Sequence, residues 1–289
     1  MRPLFDRHDA DLAVHAVHAL GCMIMEHAFP TLDALLALSP LIALAEGAKQ
    51  AAFRGRSMWA LANLVDVLTP FAEEGERVLS GLRSSLLLAL SFAQKYEIVA
   101  LLFFNKGSKA KVKQLGPSCA RIIGACGPYL YLLFTDNVPT VVDAISVALR
   151  SLLTSASPKT RWNTAHASSE YLKMTRRAGQ ATCWEALQTN LVALLAPLVT
   201  VDDAVEKSWK VRIQACSALL LYVQEATRPL KAAHVTFLSK MPLASILALL
   251  QRSSDDSRVA TAFSEYRYEE TFREDVKALA DAMSTLYPQ

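Results

Sequence analysis

The chain has 289 residues, 52% hydrophobic and 20% charged, with 10 glycines, 12 prolines and a net charge of +3. That is ample apolar material for a core, and it excludes a long disordered or collagen-like chain. The small net charge argues against nucleic acid as an obligatory partner, though not against a local basic patch.

Runs of Leu, Ala and Ser with few β-branched clusters favour helix over strand. Asp9 can cap a first helix over residues 9–28, closed by Pro30. Thr31 opens the next, which Pro40 is expected to break or kink. Residues 53–68 follow, ended by Thr69-Pro70, then helices over 76–94 and 96–104. The turn Asn105-Lys106-Gly107-Ser108 leads into 109–126, which Gly127-Pro128 ends. Short and long helices are expected at 129–134 and 138–154. Ser155-Ala156-Ser157-Pro158 offers a serine cap and a proline at the first helical position, opening 159–174. Helices over 182–198, 205–226 and 230–251 follow, the last kinked at Met241-Pro242. Ser253-Ser254-Asp255-Asp256 caps a closing helix that reaches residue 287.

A short pattern recurs along this series. A basic-x-Arg/Lys triplet is followed six positions later by a small residue and then a mostly apolar stretch. Arg56 leads to Ala62, Lys113 to Cys119, Arg161 to Ala167 and Arg212 to Ala218, with a weaker copy from Ala13 to Ala19. The anchors are 43, 57, 48 and 51 residues apart. Periods near this length belong to stacked HEAT or armadillo helix pairs. The expected fold is therefore all-α: a right-handed α-solenoid of about five to six antiparallel helix pairs, continuous over residues 1–289.

Other segments fit that reading. Residues 85–104 are the most apolar stretch, but Gln94, Lys95 and Glu97 fall within it. A membrane span would bury those groups at high cost, so a buried repeat helix is expected. Asp6, Asp9 and Asp11 precede no continuous apolar run, which is unlike a signal peptide. Five cysteines without CxxC spacing read as reduced core thiols of an intracellular, cytoplasmic or nuclear protein.

Three segments resemble the C-terminal region of the HEAT repeat-containing protein 6 family. They are Lys111-Val112-Lys113 with its small-residue run, Lys159-Thr160-Arg161-Trp162-Asn163-Thr164-Ala165-His166-Ala167, and Trp209-Lys210-Val211-Arg212-Ile213. Phe263-Ser264-Glu265-Tyr266-Arg267-Tyr268, with residues 276–286 after it, is similar to that family's closing helix. The resemblance runs from residue 53 to the end. It departs where the family's glycine-asparagine step is absent after the 159 and 210 copies, and the N-terminal half of longer members is missing. It implies an α-solenoid adaptor with no catalytic residues to carry over.

Candidate binding residues follow from the repeat. Arg56, Lys113, Arg161 and Arg212 could form a basic ladder for an acidic peptide or phosphate; at repeat-equivalent positions, stacking roles come first. Trp59 and Asn63, four apart on one helix face, resemble a single element of the Trp-x-x-x-Asn arrays of nuclear-import armadillo adaptors. Here the spacing occurs once, and a core or ridge tryptophan is the favoured explanation. Lys106, Lys109, Lys111 and Lys113, with Arg176-Arg177, are the candidate nucleic-acid contacts, but they lack the interleaved aromatics of single-strand binders. His15 and His18, with Asp11 one turn earlier, do not complete four ligands for a metal. Asp202-Asp203 and Glu269-Glu270 fit helix caps and dipoles. No nucleophile elbow or phosphate-binding glycine loop occurs. The expectation is a non-catalytic, cofactor-free scaffold that binds a protein partner. The alternatives are a nucleic-acid-binding module and a subunit of a larger complex.

Overall fold

A computed structural model describes residues 10–26, 31–94, 115–155, 157–178, 209–226, 247–248 and 268–286. Among these residues the structure is all helical, with no strand. The chain packs as two compact units, Met1–Thr160 and Arg161–Gln289.

The first unit opens with α1 (Ala10–Met25), α2 (Thr31–Gly47) and α3 (Ala51–Leu68). A 3-10 turn over Thr69–Glu74, with Pro70 in its first turn, stops α3. Gly75 separates that turn from α4 (Glu76–Gln94). Next come α5 (Leu115–Cys126), a 3-10 turn over Gly127–Tyr129, the single turn α6 (Leu130–Leu133) and α7 (Val138–Leu153). Pro139 lies in the first turn of α7, where a missing N–H costs nothing.

Two successions of contacts organise this unit. Helix α3 packs on α1 and α5, while α4 packs on α2 and α7. Further contacts join α2 to α3, α3 to α4, α4 to α5 and α5 to α7. Small residues set how closely these helices approach. Ala60 and Ala62 are fully buried on α3 beside Met58, Leu61, Leu64 and Leu68. Every residue of α5 is buried except Arg121 and Ala125. A helix apolar nearly all round belongs in the middle of a stack. On α4, Leu82, Leu86 and Ala89 fill one buried face.

The second unit contains most of α8 (Pro158–Ala178), then α9 (Trp209–Ala226) and α10 (Tyr268–Leu286). Ser157 caps α8, its Oγ accepting from the Thr160 N–H at 3.4 Å, and Pro158 opens the helix. Helix α9 packs on α10, and Val211, Ala215 and Leu219 on the one and Val276 and Leu279 on the other are buried.

Pro40 does not break α2: the helix runs through it to Gly47. Its ring is exposed, and so is Leu36, whose carbonyl it leaves without a helical donor. Water can bond that carbonyl on the solvent side, so the helix survives. The expected helices over 96–104, 182–198 and 230–251 lie outside the described residues, apart from 247–248, as does the expected cap at 253–256.

Candidate functional site: the polar seams between motif helices

Arg56, Trp59 and Asn63 converge on the seams that join α1, α3 and α5. At the first seam, Arg56 Nη1 donates to His18 Nδ1 at 3.2 Å. The Trp59 ring lies 4.9 Å from the His18 ring, tilted by 41°. Trp59 also covers Gly21, where a Cβ would lie only 2.5 Å from Cζ3 of the indole. One turn on, Asn63 Nδ2 donates to the Gly21 carbonyl at 3.0 Å. Asn63 Oδ1 accepts from Arg121 Nη1 at 2.9 Å, and Arg121 Nη2 pairs with the Asp66 carboxylate. Asn63 thus links α1, α3 and α5 through one buried amide, 2% exposed.

In the second unit a related bond recurs. His166 Nδ1 and Gln214 Oε1 are 3.3 Å apart, tying α8 to α9. His18 and His166 stand five positions after their anchors, Ala13 and Arg161. Each reaches the second turn of the next motif helix, at Arg56 and at Gln214. Ser217 Oγ then donates to the Asp275 carboxylate, tying α9 to α10.

The structure distributes the candidate partner residues unevenly. Arg56 and Trp59 are half-buried and engaged with α1, and Arg161 is half-buried. Burial lowers the Arg161 pKa, yet a guanidinium stays charged at neutral pH. Asn63 and Arg212, 2% and 5% exposed, lie inside, so a partner cannot reach them in this conformation. Lys106, Lys109, Lys111, Lys113 and the Asp202-Asp203 pair lie outside the described residues. Arg176 and Arg177 fall in the last turn of α8, and Glu269 and Glu270 in the first turn of α10.

Cys22 and His18 have the residue types of a nucleophilic pair, with Sγ and Nε2 4.0 Å apart. Arg56 decides what that pair can do. By donating to Nδ1 it leaves the neutral imidazole proton on Nε2, facing the sulfur. An Nε2 that already carries a proton cannot take one from the thiol. Desolvation lowers the His18 pKa from its ordinary value, and the charges of Arg56 and His15 lower it further. Elsewhere burial raises the thiol pKa of Cys119 to about 12 and pushes Cys126 and Cys216 up as well. Among the described residues no three His, Cys, Asp or Glu side chains are placed to share a metal ion. Nor is any described helix long and apolar enough to cross a membrane.

Sequence reasoning singled out Arg56, Trp59 and Asn63 but missed Gly21, Arg121 and Asp66. One signal was available: Arg121 is the lone charge in residues 115–126. A single charge in an otherwise apolar helix needs a specific partner.

No family model, no curated protein and no solved structure matches this chain.

Proposed function

We propose that the chain is a non-catalytic helical-repeat scaffold, an α-solenoid of HEAT or armadillo type similar to the HEAT repeat-containing protein 6 family, that binds a protein partner along one surface. One observation carries this reading: motif helices α1, α3 and α5 pack in succession, and polar bonds tie each to the next. The matching succession α2, α4, α7 supports it, because one helix pair cannot bury its apolar face without neighbours. Within the basic ladder, Arg56 and Arg161, with Trp59 beside Arg56, retain exposed surface for an acidic partner.

The test is affinity capture from cell extract with the intact chain and with an Arg56→Glu/Arg161→Glu variant of unchanged helicity. Proteins captured by the intact chain and lost from the folded variant are the expected result. Equal capture by both removes the ladder from the interface.

Exposed apolar side chains on α1, Leu12, Met23 and Met25, favour a second reading, a subunit of a larger complex whose end helix is covered. Self-association of the purified chain, or its rescue by a co-purifying partner, separates that reading from the first. The nucleic-acid reading rests on Lys106, Lys109, Lys111 and Lys113 and is tested by salt-dependent retention on nucleic acid.

A further inference from the structure

The two seams of α3 differ in chemistry, and the difference has a consequence. The Asn63 seam consists of an amide, a backbone carbonyl, a guanidinium and a paired carboxylate. None of these changes charge between about pH 5 and pH 8. The Arg56 seam contains an imidazole, the side chain whose ordinary pKa lies in that window.

We propose that the Arg56–His18–Trp59 contact is a proton-sensitive clasp between α1 and α3, closed while the imidazole is neutral and opened by its protonation. Neutral His18 accepts at Nδ1 from Arg56 and presents its Nε2 proton to Cys22. Protonation places a second N–H on Nδ1, facing a guanidinium that can only donate. The bond at 3.2 Å becomes a contact between two cations. Among the described residues, the groups acting on the imidazole are Arg56 from α3 and His15 and Cys22 from α1 itself. No described carboxylate is among them to offset the new charge. The indole face of Trp59 attracts a cation, but a tilted, partly exposed ring offsets only part of a direct like-charge contact.

Opening is local. The Asn63 bond to Gly21 does not titrate and holds α1 one turn further on. The imidazole and the Arg56 side chain therefore separate at the His18 end, and Trp59 loses its ring neighbour. The sign follows from linkage. A histidine held below its ordinary 6.5 in the folded chain binds fewer protons there than when unfolded. The stabilisation is present above that pH and lost as pH falls below it.

The test follows indole emission of the intact chain from about pH 8 to about pH 5, because opening takes the His18 ring away from Trp59 and changes the surroundings of the indole. Wild type should show a transition with its midpoint below 6.5. The transition should vanish in His18→Gln, which keeps an acceptor for Arg56 but cannot titrate, and in Trp59→Phe, which removes the reporter. Arg56→Gln should move the midpoint upward towards 6.5 by removing one cation. Circular dichroism at neutral pH verifies folding; if His18→Gln fails to fold, Arg56→Gln and Trp59→Phe carry the test. A transition that survives in folded His18→Gln, a wild-type midpoint at or above 6.5, or no wild-type transition would overturn the clasp. So would an Arg56→Gln midpoint that does not rise.

Discussion

Gly21→Ala is the most direct test of how α1 seats on α3. A Cβ at this position would lie 2.5 Å from Trp59 Cζ3, 2.8 Å from Cε3 and 3.3 Å from the Ala60 Cα. Carbon atoms prefer separations of about 3.5–4.0 Å, so the indole must retreat by about 1 Å. It cannot do so freely, because it is packed on His18, and Ala60 behind it is fully buried backbone. Overpacking of this kind costs about 1–3 kcal/mol. Helix propensity works the other way, favouring alanine over mid-helix glycine by about 1 kcal/mol. The net expectation is a loss of about 1 kcal/mol, which for a unit of this size lowers Tm by about 2–4 °C. Thermal unfolding of the intact chain by far-ultraviolet circular dichroism measures it. The transition that also moves in Trp59→Leu identifies the unit concerned. In the Trp59→Leu background the clash is gone and Gly21→Ala should turn stabilising, giving a coupling of opposite sign. If Gly21→Ala raises Tm in the wild-type background, propensity alone is acting and α1 does not rest on Trp59.

Further outcomes follow from the same packing. Gly81→Ala should destabilise by about 1–3 kcal/mol, because its Cβ collides with Leu38 Cδ2 and lies 3.2 Å from Cγ of that buried side chain; a double-mutant cycle with Leu38→Ala checks it, and an additive cycle contradicts the α2–α4 contact. Asn63→Ala should cost about 1–3 kcal/mol in urea unfolding, since it removes the buried bond to the Gly21 carbonyl and takes the acceptor from Arg121. Arg121→Ala lets the exposed Asp66 carboxylate rehydrate but takes the donor from buried Asn63 Oδ1, so it too should cost about 1–3 kcal/mol. In a Cys183→Ser background, iodoacetamide should label half-exposed Cys22 before Cys119, Cys126 and Cys216, whose buried thiols resist ionisation. Because burial raises those three pKa values, their stabilisation is complete below about pH 9 and is lost as pH rises beyond it, which alkaline unfolding curves would register.

Much of the helical punctuation was legible in the sequence because it is local. Glu76–Gln94 begins and ends as expected, and the breaks at Thr69-Pro70 and Gly127-Pro128 coincide with 3-10 turns. These depend on missing N–H groups and cap chemistry within a few residues. Pro40 shows the limit of that logic. Whether a proline breaks a helix depends on where its freed carbonyl points, and that is set by neighbouring helices. The seams were less legible still. The repeat marks Arg56 as equivalent to Arg212, yet Arg56 is half-buried against a histidine while Arg212 lies 5% exposed. Equivalent register fixes which face of a helix a residue occupies; the neighbour it meets there comes from another copy with different side chains. Gly21 carried no signal of its own, because its role comes from the ring 38 residues later.

The position of Arg56 constrains any binding role for the basic ladder. Its guanidinium already has an acceptor in His18, so an acidic partner gains only the difference between its own bond and the one displaced. That difference grows when the histidine cannot accept, so the affinity contributed by Arg56 and the integrity of the α1–α3 seam are linked. Asn63 has no such freedom. Its amide is buried, and displacing it would break the bonds to Gly21 O and Arg121 together. Structural and binding demands therefore fall on different residues of the same helix: Asn63 secures the stack, while Arg56 and Trp59, at its half-open edge, can exchange partners without dismantling it.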